Sequence, residues 1–193
     1  MAPGGFFVDP VRPVERAVVT HGHADHARPN NQKVLATAET LAIMRARYGE
    51  AAGAALQPLA LGETLVIGEV SVRLVPAGHV LGSAQVVLLY RGSRVVVSGD
   101  YKRGADPTCL PFEPVACDVF VTEATFALPV FRWQPTPTVA ADMAAWIARN
   151  RAEDRTSVIF CYALGKAQRL LAELAPYLDR PVYLHGALVP LVS

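Results

Sequence analysis

The residues best suited to chemistry stand together in His21-Gly22-His23-Ala24-Asp25-His26, three imidazoles and a carboxylate in six consecutive positions. Imidazole and carboxylate are the ligands that zinc takes, and a water polarised by such a cation is a nucleophile near neutral pH. The preceding run Arg16-Ala17-Val18-Val19-Thr20 is rich in β-branched residues and opens into a polar, glycine-containing stretch. It predicts a buried strand ending in a loop. Residues i and i+2 of an extended segment point to one side, so His21 and His23 can face one ion. Asp25 and His26 are neighbours that would point apart in an extended chain; they are expected to face a second ion as the backbone turns into a helix. A solvated polar loop is the bland alternative.

Three further chemical residues close apolar runs. His79 lies in Val75-Pro76-Ala77-Gly78-His79-Val80-Leu81-Gly82-Ser83. A catalytic zinc takes three protein ligands and leaves a place for water, so His21, His23 and His79 would complete one shell, against the alternative of a hydrogen-bonded loop histidine. Asp100 closes Val95-Val96-Val97-Ser98-Gly99-Asp100. A carboxylate there can bridge two cations, one oxygen to each, or cap a turn. Glu123 ends Val119-Phe120-Val121-Thr122-Glu123 by the same logic, with a solvated strand-end carboxylate as its alternative.

These residues need elements to position them. The chain has 193 residues, 52% hydrophobic and 18% charged, a globular composition large enough for one to two domains. It has no apolar stretch of membrane-spanning length and no basic-then-apolar start, so the expected location is cytoplasmic, with no membrane partner. Cys109, Cys117 and Cys161 lack a C-x-x-C spacing, and reduced, mostly buried thiols are expected. A net charge of +1 implies no polyanion partner by itself; a nucleic-acid surface would have to be local. Leu41, Met44 and Tyr48 predict a helix over about 39–48, stopped by Gly49. Strands are predicted at 64–67, 71–75, 84–90, 94–98 and 118–122, punctuated by glycines, with a hairpin turn at Arg91-Gly92-Ser93. After Glu123 the pattern changes. Thr136-Pro137 predicts an N-cap and first helical residue before an apolar stripe of Val139, Met143, Trp146 and Ile147. A strand at 157–161, a helix opened by Gly165 and a strand at 181–184 then read as a βαβ unit. The fold class is α/β, with a metal-bearing domain over 1–126 and a second subdomain over 127–193.

In order, His21-Gly22-His23-Ala24-Asp25-His26, Gly78-His79, Gly99-Asp100 and Thr122-Glu123-Ala124-Thr125-Phe126 resemble the motifs of metallo-β-lactamase-fold nucleases of the β-CASP type. The resemblance runs from about Phe6 to Leu184. Pro76 to Gln85, Ser98 to Lys102 and Tyr162 to Gln168 look like the bacterial ligase-associated DNA exonucleases, often labelled mRNA 3′-end processing factors. The resemblance implies the N-terminal part of an αββα sandwich followed by the beginning of a β-CASP subdomain. It also implies that His21, His23 and His79 hold one zinc, that Asp25 and His26 hold a second, and that Asp100 bridges them. Glu123 would support a catalytic histidine, and Asp25 and Glu123 would be the catalytic carboxylates. The expected activity is phosphodiester hydrolysis of DNA or RNA by a hydroxide activated between two zinc ions. The expected partner is single-stranded or end-exposed nucleic acid, DNA ahead of RNA, with an ATP-dependent DNA ligase and a helicase as family associates.

Lys102 and Arg103 could hold a flanking phosphate or be solvated charge. Tyr101, Phe126 and Trp133 could stack on bases, although core packing is favoured for each. Gly165-Lys166 fails the nucleotide-loop pattern, because Phe160 replaces its first glycine and Ala167 follows the lysine. A helix N-terminus there can still bind a nucleic-acid phosphate. Family members carry two more histidine motifs, one protonating the leaving group and one completing the second zinc site. Neither is found, and the neighbours of His185 match neither motif. The expectation is therefore a truncated member, abbreviated before Met1 and after the second subdomain begins, with one tight metal and a second site one ligand short. Two readings compete: another hydrolase of the same fold acting on thioesters or lactams, and a non-catalytic nucleic-acid-binding subunit.

Overall fold

In the computed structural model, which describes residues 3–192, the chain runs β1 (Phe7–Val8), β2 (Arg16–Val18), β3 (Lys33–Ala36), α1 (Ala38–Tyr48), β4 (Ala55–Pro58), β5 (Thr64–Ile67), β6 (Val70–Pro76), β7 (Ala84–Tyr90), β8 (Ser93–Val97), β9 (Val119–Val121), α2 (Thr136–Ala152) and α3 (Lys166–Leu174). Met1, Ala2 and Ser193 lie outside the described residues; the first two belong to the start read for a signal, the last to the expected 127–193 subdomain. The chain divides into two compact units, Met1–Glu123 and Ala124–Ser193.

Two sheets build the first unit. One is all parallel in the order β1-β2-β3-β4; the other runs β5-β6-β7-β8-β9, antiparallel up to β8 with β9 parallel to it. Side-chain alternation divides the apolar residues between layers. Val18 and Leu35 face a core shared with Val70, Val72, Leu74, Ala84, Val86 and Leu88 of the second sheet. Their neighbours Ala17, Val34 and Ala36 turn the other way and meet Leu41 and Met44 of α1. Val75, Val87 and Val96 form a third cluster on the far face of the second sheet, covered by Val115 and Cys117. Strands β2, β3 and β7 are covered on both faces and read as near-continuous apolar runs rather than clean alternation, whereas Val119, Phe120 and Val121 of β9 are exposed. Helix α1 starts where Thr37 accepts from the Thr40 amide, and it ends at Gly49, whose amide donates to Arg45.

The strands expected at 64–67, 71–75, 84–90, 94–98 and 118–122 are present to within a residue, as is the turn at Arg91-Gly92. Strands β1, β3 and β4, of two to four residues, were not among the strands expected from the sequence. All three cysteines are thiols outside any disulfide, and they are half-buried rather than buried. No helix among the described residues is long and apolar enough to cross a membrane.

Within the second unit the expected strands at 157–161 and 181–184 do not form. Val158, Phe160 and Tyr183 are 63%, 93% and 96% exposed. Their apolar pattern suits a strand, yet a strand also needs a neighbouring backbone to bond with, and no strand is assigned in this unit among the described residues. Helix α2 begins at Thr136 itself, after Pro135, with Pro137 in its first turn. Thr136 is therefore not the N-cap; its hydroxyl accepts from Arg169 of α3. The α2 stripe differs too: Ala140 and Asn150 are buried, while Val139 and Trp146 are 37% and 38% exposed.

Leu74 is 0% exposed in the core between the sheets. Leu74→Ala is expected to lower the unfolding free energy by about 2–5 kcal/mol, because a close-packed core relaxes only partly around the cavity. Urea unfolding followed by far-UV circular dichroism measures it; a loss below about 1 kcal/mol would place Leu74 outside a load-sharing core.

Candidate metal centre

The chemical residues of the first unit follow strand ends. Asp9 follows β1, the histidine-rich turn follows β2, His79 follows β6 and Asp100 follows β8. The loop after β2 is a turn and not the start of a helix: the amides of His26 and Ala27 both donate to His23 O, at 3.2 and 2.8 Å. This turn swings His26 back beside His21, with ring centroids 4.2 Å apart. Arg47 of α1 donates to Gly22 O at 2.8 Å and pins the turn from behind. The His79 loop is held by Ser83, whose hydroxyl accepts from the His79 and Val80 amides at 3.0 and 3.1 Å. Thr37 and Thr40 at the start of α1 clamp the same loop by donating to Gly82 O at 2.7 and 3.1 Å. Gly82 has φ +74°, and a Cβ there would stand 2.7 Å from Glu39 Cβ, so only glycine fits.

The result is a convergence of donor atoms. His21 Nε2 and His79 Nε2 lie 3.0 and 3.2 Å from His23 Nδ1. Asp100 Oδ2 lies 3.8 Å from His21 Nε2 and 3.6 Å from His79 Nε2. All four donors fall within 4.8 Å of one another. Two nitrogens each about 2.0–2.1 Å from a tetrahedral zinc lie roughly 3.3–3.4 Å apart, so this set fits one such cation. The other oxygen of Asp100 faces elsewhere: Oδ1 is 3.3 Å from His26 Nε2, which is 3.8 Å from Asp25 Oδ2. Asp25 is open to solvent, with 72% of its side chain exposed. This second group offers three donors.

The environments of the imidazoles differ sharply. Burial, then the neighbouring His26, His79 and His23, hold His21 down to about 2, so it stays neutral, as a ligand must be. His79 is lowered for the same reasons, burial first. His26 is held up to about 10 by hydrogen bonds to Asp100 and then Asp9. Asp100 is correspondingly held down to about 2, chiefly by His26.

Asp9 is the residue that sequence reasoning missed. Its Oδ1 accepts from the Thr20 amide at 2.8 Å, and its Oδ2 accepts from the Thr20 hydroxyl at 2.7 Å and lies 2.8 Å from His26 Nδ1. A carboxylate only accepts, so His26 carries a proton on Nδ1 and directs Nε2 toward Asp100. Phe6-Phe7-Val8-Asp9 shows the apolar-run-then-acid pattern that singled out Asp100 and Glu123; β1 is merely too short to have drawn attention. Glu123 is half-buried, and its charge opposes the lowering of His79 by burial.

The residues read for nucleic-acid contact are more engaged than a free basic patch would be. Lys102 Nζ donates to Asp106 at 3.1 Å and to Ala105 O at 3.3 Å, whereas Arg103 is exposed. Tyr101 packs on Phe112 and Phe120, with centroids 5.1 and 6.2 Å away. In the second unit, the Gly165 amide donates to Gln168 Oε1 at 2.7 Å and Lys166 lies over the Tyr162 ring. Phe126 and Trp133 meet edge to face, 5.2 Å apart. His185 is exposed and accepts from the Ala187 amide.

Residues 8–161 match the family model described as Metallo-beta-lactamase superfamily. The chain is 35% identical over 187 residues to a protein of Opitutus terrae named "Probable DNA ligase", covering 94% of this chain and 18% of that one. It is 24% identical over 203 residues to the "RNase J-like protein" of Methanocaldococcus jannaschii, covering 91% of this chain and 48% of the other. The chain thus spans less than half the length of these relatives. A crystal structure of a protein of unknown function from Enterococcus faecalis V583 matches with a TM-score of 0.58 at 16% identity, covering 92% of this chain and 48% of that one; the likeness is one of fold.

Two measurements follow from this geometry. Asp9→Asn keeps the backbone preference of a residue at φ +45° but removes the charge that orients His26. It is expected to weaken metal affinity about 10–100-fold, the usual cost of losing a carboxylate behind a ligand; chelator competition that finds unchanged affinity would refute the role. At Asp106, burial pushes the carboxyl up, but the Thr108 hydroxyl and amide and Lys102 together hold it below its ordinary value. A depressed folded pKa means stability that is present above the unfolded value of about 3.9 and lost as pH falls through the folded one. Urea midpoints of wild type are therefore expected to fall more steeply than those of Asp106→Asn between about pH 5 and pH 2; parallel curves would contradict the assignment.

Proposed function

We propose that this chain, which belongs to the metallo-beta-lactamase superfamily, forms the metal-binding part of a zinc-dependent nuclease of the β-CASP type that hydrolyses phosphodiesters at single-stranded or exposed ends, DNA ahead of RNA. The observation that carries the reading is Asp100, whose two carboxylate oxygens face different imidazole groups, Oδ2 toward His21 and His79 and Oδ1 toward His26. That is the placement a carboxylate shared between two cations requires. His21, His23, His79 and Asp100 would hold the first zinc, and Asp25, His26 and Asp100 the second. When bound, the zinc ions supply Lewis acidity, acidifying a water and neutralising the non-bridging oxygens of a phosphodiester. The protein's own part is orientation and proton handling. His21 is buried and neutral, Asp9 fixes the proton of His26 on Nδ1, and the exposed carboxylate of Asp25 is free to accept a proton from an attacking water. Glu123 acts on His79 through its charge.

Relatives named as an RNase J-like protein and a probable DNA ligase support a nucleic-acid substrate. The O. terrae relative named "Probable DNA ligase", of which this chain matches 18%, favours DNA ends and a DNA ligase as the partner; the ATP dependence of that ligase, a helicase at the same ends and a cytoplasmic location are carried over from the sequence resemblance and composition. The second unit is read as the beginning of a β-CASP subdomain in which Gly165 and Lys166 would contact phosphate, and in the first unit Arg103 is the exposed cation that follows Asp100 in the chain. A second reading is favoured by one observation: the second cation position has three donors among the described residues, which suits a one-metal chain that binds strands without cutting them.

End-labelled single-stranded DNA, single-stranded RNA and a thioester should be offered side by side to zinc-loaded protein. Metal-dependent cleavage of DNA, abolished by chelator and reduced at least 100-fold in Asp100→Asn, is the expected outcome, since removing a charge-stabilising group at a reacting centre costs about 10²–10³ in rate. Thioester hydrolysis without strand cleavage would move the protein to another enzyme class. Strand binding with no cleavage over hours would favour the second reading.

A further inference from the structure

Thr20 stands between the two halves of the centre, and its hydroxyl has one proton to give. The residue is 1% exposed. Its carbonyl accepts from the Ala84 amide at 2.8 Å, its amide donates to Asp9 Oδ1 at 2.8 Å and its hydroxyl donates to Asp9 Oδ2 at 2.7 Å. The same Oγ1 lies 3.0 Å from His21 Nδ1. A hydroxyl offers one O–H and two lone pairs, and a carboxylate offers lone pairs alone. With its proton committed to Asp9, Thr20 can only accept from His21, so His21 must carry its own proton on Nδ1. The lone pair is then left on Nε2, the atom 3.0 Å from His23 Nδ1 and 3.8 Å from Asp100 Oδ2.

We propose that Thr20 is a positioning residue, which relays the Asp9 carboxylate to His21 and so holds His21 in the tautomer that presents Nε2 to a cation. Asp9 acts on His26 directly and on His21 through Thr20, so one oxygen, Asp9 Oδ2, governs a ligand on each side of Asp100. The inference rests on the metal-centre reading and on no particular substrate. The site also restricts what can replace Thr20. A Cβ on Gly99, where φ is +55°, would stand 2.6 Å from Thr20 Cβ and Oγ1, so the pocket around the side chain is filled. Valine keeps the branched shape and removes both side-chain hydrogen bonds; serine keeps the hydroxyl and removes a methyl.

The test compares the full chain with Thr20→Val and Thr20→Ser. Zinc affinity is measured by competition with a chromophoric chelator, and ligand geometry by the visible absorption of the cobalt-substituted proteins. Thr20→Val is expected to bind zinc at least about tenfold more weakly and to change the cobalt spectrum, while Thr20→Ser restores both. Wild-type affinity and spectrum in Thr20→Val would overturn the proposal. Should that variant fail to fold, the tautomer is read in the wild-type chain from long-range proton–nitrogen correlations of the His21 ring. A proton on Nδ1 supports the relay, and a proton on Nε2 overturns it. A wild-type chain that takes up neither zinc nor cobalt would sink the metal-centre reading, and the His21 tautomer would still decide this one.

Discussion

One main-chain hydrogen bond, from the Ala84 amide to the Thr20 carbonyl, joins the two sheets where the chemistry is. Thr20 follows the end of β2 in the parallel sheet, and Ala84 begins β7 beside the end of β6 in the other. With the shared core beneath it, this bond fixes the distance between the histidine-rich turn and the His79 loop. Each side brings what the other lacks: His21, His23 and His26 from the first sheet, His79 and Asp100 from the second. Unpaired strand ends have free backbone groups and tolerate irregular loops, which is why such ends host sites while strand centres host the core. The glycines at 82 and 99 serve this closeness, because their α-carbons pass where a side chain would collide with the α1 cap or with Thr20.

The same side chain behaves in opposite ways a few ångströms apart. His21 is buried among other imidazoles and is kept neutral; His26 is held between Asp9 and Asp100 and is kept charged. Burial disfavours the charged form and a carboxylate favours it, and here each effect wins in its own place. A cation placed near His26 would take over the role of its proton, since both are positive charges set against Asp100. The acidic residues thus compensate for a dense group of imidazoles that would otherwise lack anything to neutralise a metal ion.

The second unit shows how far a pattern can carry without partners. Residues 157–161 and 181–184 have strand composition but no neighbouring strand among the described residues, and Phe160 and Tyr183 stand in solvent. Its helices form because helical hydrogen bonds are internal to the segment, whereas a strand's bonds are made to another segment. Local pattern therefore sufficed for α3 and was insufficient for the two flanking runs.

From the sequence alone, residue types suited to holding a metal were legible: H-x-H-x-D-H after a β-branched run, then a histidine and an acid, each closing another apolar run. The apolar stripe of α1 and the apolar runs of β5 to β9 were legible as well, most of them set off by glycines such as Gly49, Gly68, Gly82 and Gly92. What only the tertiary structure decided is which atoms meet. The meeting of His79 Nε2 with His23 Nδ1, the division of Asp100 between two groups, and the entry of Asp9 and Thr20 behind the imidazoles all depend on contacts between segments far apart in the chain. Spacing in sequence sets which side of a strand a residue occupies; the meeting of two sheets at their ends sets what it touches.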